Sequence, residues 1–97
     1  MRKMDKKRDK DIVTALTEVC EAAKLHNEGF SWISHKVNYQ RFPDSLQVLC
    51  VYHNRATLLA AEQVGEPKQL MLKIDQQLAT KGIVLRNAKR QIQFDSE

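Results

Sequence analysis

Glycine occurs three times, proline twice, cysteine twice and tryptophan once in this 97-residue chain. Three glycines cannot build a glycine-rich phosphate cradle, and Gly29, Gly65 and Gly82 all fall where a helix is expected to end. Cys20 and Cys50 form no CxxC pair, and His26, His35 and His53 form no HxxxH pair, so the ligand spacing of a structural zinc site is missing. No GxSxG turn presents a nucleophile. No apolar run approaches the ~20 residues that cross a bilayer. The charged residues 1–10 are not followed by the apolar core of a secretory signal. An enzyme, a metal centre, a cofactor and a membrane span are therefore not expected. The chain reads as cytoplasmic, with both cysteines as buried free thiols.

Apolar residues make up 42% of the chain, enough for a folded core, and the length suits one domain. Charge is unevenly spread. Residues 1–10 hold six cations (Arg2, Lys3, Lys6, Lys7, Arg8 and Lys10) against two anions, Asp5 and Asp9. The rest of the chain carries ten of each sign, so the whole net charge of +4 lies on those ten residues. They read as a solvated basic lead-in, frayed or joined to the first helix, ahead of a single domain over 11–97.

Ile12, Val13, Leu16, Val19, Cys20 and Ala23 recur at helical spacing, with Asp9 or Asp11 as candidate caps and turn residues from His26 to end the helix. Residues 30–39 turn aromatic and β-branched and predict a strand. A loop of about five or six residues containing Pro43 and Asp44 leads to a second strand, in which Leu46, Val48, Cys50 and Tyr52 alternate. Leu49 and Val51 make its other face partly apolar, which places it centrally. Asn54 is a candidate cap for a helix from Arg55. Pro67 starts another through Lys81, with Leu70, Met71, Ile74 and Leu78 inward and Gly82 just past its end. Short strand segments follow at 83–85 and 91–94. The expected fold is α+β, a small antiparallel sheet packed by helices in the order α-β-β-α-α-β.

Trp32 is either an exposed aromatic platform for a base or partner or a core anchor between sheet and helix, and its place beside Phe30 and Ile33 favours the core. Phe42, between Arg41 and Pro43, is either a partner contact or a plug for the sheet. The basic lead-in is suited to releasing counterions from nucleic acid, and Arg86, Lys89 and Arg90 add a second basic patch.

Ala61 and Gly65 have the spacing of a helix-turn-helix, with Ala60, Val64, Met71 and Ile74 at its packing positions. The run from Arg55 to Ala61, followed by Gly65 and a leucine-bearing helix, resembles the C-terminal segment of Fis-type DNA-binding proteins. That resemblance implies that Lys68, Gln69, Leu72 and Lys73 face a DNA groove. The same residues also read as an ordinary pair of amphipathic helices on a sheet, which Glu66, Leu72 and Asp75 favour. Over the whole chain, the stretches at 29–33, 37–46 and 93–97 are similar to a small bacterial family whose members are often labelled Fis-like transcriptional regulators. That similarity carries no catalytic residue and no cofactor.

Two functions follow. One is nucleic-acid association, through Arg2, Lys3, Lys6, Lys7, Arg8 and Lys10 with Lys68, Gln69, Lys73, Arg86, Lys89 and Arg90. The other is a protein-interaction module or homodimer that uses a sheet edge or Phe42.

Overall fold

The computed structural model describes residues 3–27, 29–42 and 44–97, with side chains from Lys6 onward. The first helix, α1, runs over Lys3–His26 and takes in most of the basic lead-in as regular helix. Its start therefore lies upstream of Asp9 and Asp11, neither of which caps it. Ile12, Ala15, Leu16, Val19 and Ala23 form its buried stripe. The helix ends where Asn27 turns the chain, its Oδ1 accepting from the Gly29 N–H at 2.8 Å.

Gly29 is required by contact rather than by backbone angle. A β-carbon there would lie 2.7 Å from Cβ of Thr57, and the Gly29 carbonyl accepts from the His53 N–H at 2.8 Å.

Strands β1 (Phe30–Lys36) and β2 (Gln47–Tyr52) pair antiparallel, as the hairpin predicted, but a β-bulge interrupts the register. Phe30 faces Tyr52 and Trp32 faces Val51, so two steps along β1 match one step along β2. In unbroken alternation Phe30 and Trp32 would share a face. The bulge at Ser31 sends Phe30 into the core, where its ring meets Tyr52 edge-on at 5.3 Å, and turns Trp32 to the open face. Trp32 is 40% exposed, which overturns its expected role as a core anchor. Its Nε1 donates to Glu97 Oε1 at 2.8 Å. Because Glu97 lies beyond the far strand, the indole spans β2 above Val51, which is buried.

Asn54 caps α2 (Arg55–Gln63) as expected, in a reciprocal box with Thr57. Helix α3 covers Glu66–Thr80 and buries Leu70, Ile74 and Leu78. It ends in a Schellman motif. Gly82, at φ 78°, lets its own N–H reach the Ala79 carbonyl and the Ile83 N–H reach that of Leu78, both at 2.9 Å.

The expected strand at 83–85 does not form. Ile83 and Leu85 insert into the core and Val84 faces solvent, an alternation with no ladder partner. A short helix, α4 (Ala88–Gln91), then leads into β3 (Ile92–Ser96). Strand β3 pairs parallel to β2, so the sheet is mixed, with order β1-β2-β3 and β2 central. The direction follows from the path: α3 carries the chain back to the loop end of β2, from which β3 departs.

Helices α1 and α3 lie side by side against one sheet face. Ile33, Val48, Cys50, Tyr52 and Ile92 meet the helical stripes there, and the fold is α+β in the expected element order. Among the described residues no helix is long and apolar enough to cross a membrane.

Candidate nucleic-acid interface

The β1–β2 connection occupies residues 37–46, longer than the expected five or six, and it organises one end of the molecule. Asn38 starts a 3-10 turn over Tyr39–Arg41, its side chain accepting from the Gln40 N–H at 3.0 Å. Ser45 closes the loop. Its hydroxyl accepts from the Asn38 N–H at 2.8 Å and donates to the Asn38 carbonyl at 2.7 Å. Within this frame the Tyr39 and Phe42 rings stack at 5.9 Å.

On one side the loop holds the first turns of α1. The Tyr39 hydroxyl donates to Asp9 Oδ1 at 3.1 Å, and His35 Nε2 lies 3.5 Å from the same oxygen. The Arg8 guanidinium sits 4.6 Å above the Phe42 ring. Phe42 is half-buried against the core and so closes the loop over the helix. With Arg8 and Asp9 turned inward, Lys6, Lys7 and Lys10 face solvent.

On its other side the loop holds residues 86–91. Gln91 is the one buried polar residue among those described. Its Nε2 donates to the Leu46 carbonyl at 3.0 Å, and its Oε1 accepts from the Asn87 N–H at 3.0 Å. Asn87 caps α4 through the Arg90 N–H. Arg86 Nε lies 3.3 Å from Asp44 Oδ1, an exposed pair worth at most ~1 kcal/mol.

Two basic groups that are far apart in sequence thus meet at one pole. Lys6, Lys7, Arg8 and Lys10 come from α1, and Arg86, Lys89 and Arg90 from the segment around α4. Lys36 and Arg41, which sequence reasoning missed, add to them from the end of β1 and the loop. Among the described side chains, the segments that supply these nine cations also carry three anions, Asp9, Asp11 and Asp44. The loop side chains that build the pole (Tyr39, Asp44, Gln91) carry little charge signal and were not legible as site residues. Arg2 lies outside the described residues, and Lys3 is described only as the first residue of α1.

Lys68, Gln69 and Lys73 are exposed but belong to the other end. Helix α3 runs antiparallel to α1: Asn27 Nδ2 donates to Glu66 Oε2 at 2.6 Å, and Lys73 borders Ala23 and His26. At 1.5 Å per residue, Ala23 is roughly 24 Å along α1 from Lys7. Lys73 also lines surface hollows with Glu66 and with Glu18. Of the helix-turn-helix packing positions, Ile74 is buried and Met71 half-buried, whereas Ala60 and Val64 lie in solvent, Val64 at 73% exposure.

Other chemistry is sparse. Among the described residues no group of three or more His, Cys, Asp or Glu side chains is placed to hold a metal ion. Burial, followed by the neighbouring Cys20 thiol, pushes the Cys50 thiol up to about 12, so it stays protonated at neutral pH. Burial first, then the Glu66 carboxylate, raises the Tyr52 hydroxyl well above its ordinary range. Hydrogen bonds from Trp32 and Ser31 hold the exposed Glu97 carboxyl below the usual carboxylate range. None of these groups lines a cleft with a second reactive partner. Comparison with protein-family models, curated proteins and solved structures finds no match to this chain.

Proposed function

We propose that this protein binds nucleic acid through the pole where α1, the 37–46 loop and α4 converge. The observation that carries the reading is that one loop bonds to both basic segments, through Tyr39–Asp9 on one side and Leu46–Gln91 on the other. Lys6, Lys7, Lys10, Lys36, Arg41, Lys89 and Arg90 all lie in solvent around it. Cations grouped this way displace condensed counterions from a phosphate backbone, which yields affinity without base-specific contacts. Lys68, Gln69 and Lys73 are not continuous with this surface. The reading therefore does not depend on a recognition helix, and any role in transcription would come through the pole.

Fluorescence anisotropy of labelled oligonucleotides across a range of salt concentrations tests it. The expected result is binding whose affinity falls steeply as salt rises. Absence of binding even at low salt would remove the reading and leave a protein partner or a second copy of the chain as the function to pursue.

A further inference from the structure

The pole does not stop at the loop; it opens onto the uncovered face of the sheet. On that face the register sets Lys36 beside Gln47, and Ser34 beside Leu49 and Gln93. These five residues, together with His35 and Val48, line a hollow of about 220 Å³. That is smaller than the ~300–1,000 Å³ of a cleft for a drug-sized ligand, and suits one planar base. Its floor is the half-buried Leu49, and its rim carries amides and a cation. Gln93 Nε2 donates to the Arg90 carbonyl at 3.0 Å, which ties the rim to α4.

We infer that this hollow takes an unstacked base of a single-stranded nucleic acid whose backbone runs over the basic pole. The inference rests on the proposed function and names its substrate class. Charge supports it, because among the described residues Lys36 lines the hollow and no carboxylate does, Asp95 standing one side-chain row away beside Val51. Shape supports it as well. A duplex keeps its bases stacked inside and offers a sheet hollow only backbone, whereas a single strand can turn a base onto an apolar floor rimmed by hydrogen-bonding groups. Gln47 and Gln93 present both donors and acceptors to a base edge.

Trp32 is the only tryptophan and lies on this face, one side-chain row from Ser34, so its emission reports occupancy. The test titrates the full chain with a labelled single-stranded oligonucleotide and with a duplex of equal length, reading anisotropy and tryptophan emission together. The expected result is tighter binding of the single strand by about tenfold, accompanied by quenching of Trp32. The Gln47→Ala, Gln93→Ala variant should lower single-strand affinity by about fivefold and leave duplex affinity unchanged. Equal affinity for both forms with unchanged emission would overturn the inference while leaving the basic pole in place. Emission that changes with protein concentration alone would also overturn it, by showing this face covered by a second copy. Failure of both oligonucleotides to bind at low salt would remove the proposed function and the inference with it.

Discussion

Neutralising the two basic segments separately offers the sharpest test of whether they form one surface. In one variant Lys6, Lys7 and Lys10 become glutamine; in the other, Lys89 and Arg90 do. All five are exposed, and glutamine is close to lysine and arginine in helix propensity, so neither change should disturb the fold. Each phosphate neutralised on a single strand contributes ~0.7 to the slope of log affinity against log salt. At about 0.1 M salt that amounts to roughly fivefold in affinity per contact. The triple variant is then expected to lose on the order of a hundredfold and about 2 units of slope. The double variant should lose about 25-fold and roughly 1.4 units. A control with Lys68 and Lys73 changed to glutamine should behave as the unmodified protein, because the α1–α3 arrangement sets those residues at the opposite end. Anisotropy titrations between about 0.05 and about 0.2 M salt measure all four proteins, with circular dichroism checking the helix content. If the Lys89/Arg90 variant bound as tightly as the parent, the loop would not be joining two halves of one surface. A loss in the Lys68/Lys73 control equal to that of the α1 variant would refute the assignment of the pole.

Three further outcomes follow from the packing. Gln91→Leu keeps the volume but leaves the buried Leu46 carbonyl and the Asn87 N–H without their partners, so chemical denaturation should show a loss of about 1–3 kcal/mol, with the variant's oligonucleotide affinity falling as α4 loosens from the loop. A loss below about 0.5 kcal/mol would show that the bonds do not anchor the loop. Gly29→Ala forces a methyl group to 2.7 Å from Thr57 Cβ and should cost about 1–3 kcal/mol in thermal or urea unfolding, where a glycine-to-alanine change without such crowding would be neutral or better. For Cys50, the folded thiol is raised to about 12. The unfolded chain therefore loses this proton first as pH rises. The stability tied to the thiol is complete below its ordinary pKa and is lost between there and the folded value, by up to ~1.4 kcal/mol per pH unit. Cys50→Ala should flatten that alkaline decline in urea midpoints, and an unchanged slope would show that Cys50 is not its source.

Much of the local structure was legible because its causes are local. The stripe from Ile12 to Ala23, the Asn54 cap and the Gly82 terminus each depend on residues within a turn or two of one another. The alternation of Val48, Cys50 and Tyr52 marked β2, and Leu49 with Val51 marked it as central, which the sheet order bears out.

What the sequence did not show was decided between segments. A single bulge residue, Ser31, moved Trp32 from the core to the open face, and composition does not register an insertion whose meaning depends on the opposite strand. Ile83, Val84 and Leu85 have the residue types of a strand, but a strand needs a ladder partner and none adjoins them. The parallel direction of β3 follows from how far α3 carries the chain, and β propensity has no sense of direction.

The candidate site divides in the same way. The charge of residues 1–10 and the cations at 86–90 were each plain in the sequence by themselves, because charge belongs to the side chain and needs no fold to express it. Only the tertiary structure decided that these two groups share a pole while Lys68 and Lys73 stand apart. That outcome rests on Tyr39, Phe42, Asp44 and Gln91, ordinary residues whose contacts join helix, loop and strand once the hydrophobic core has brought those elements together.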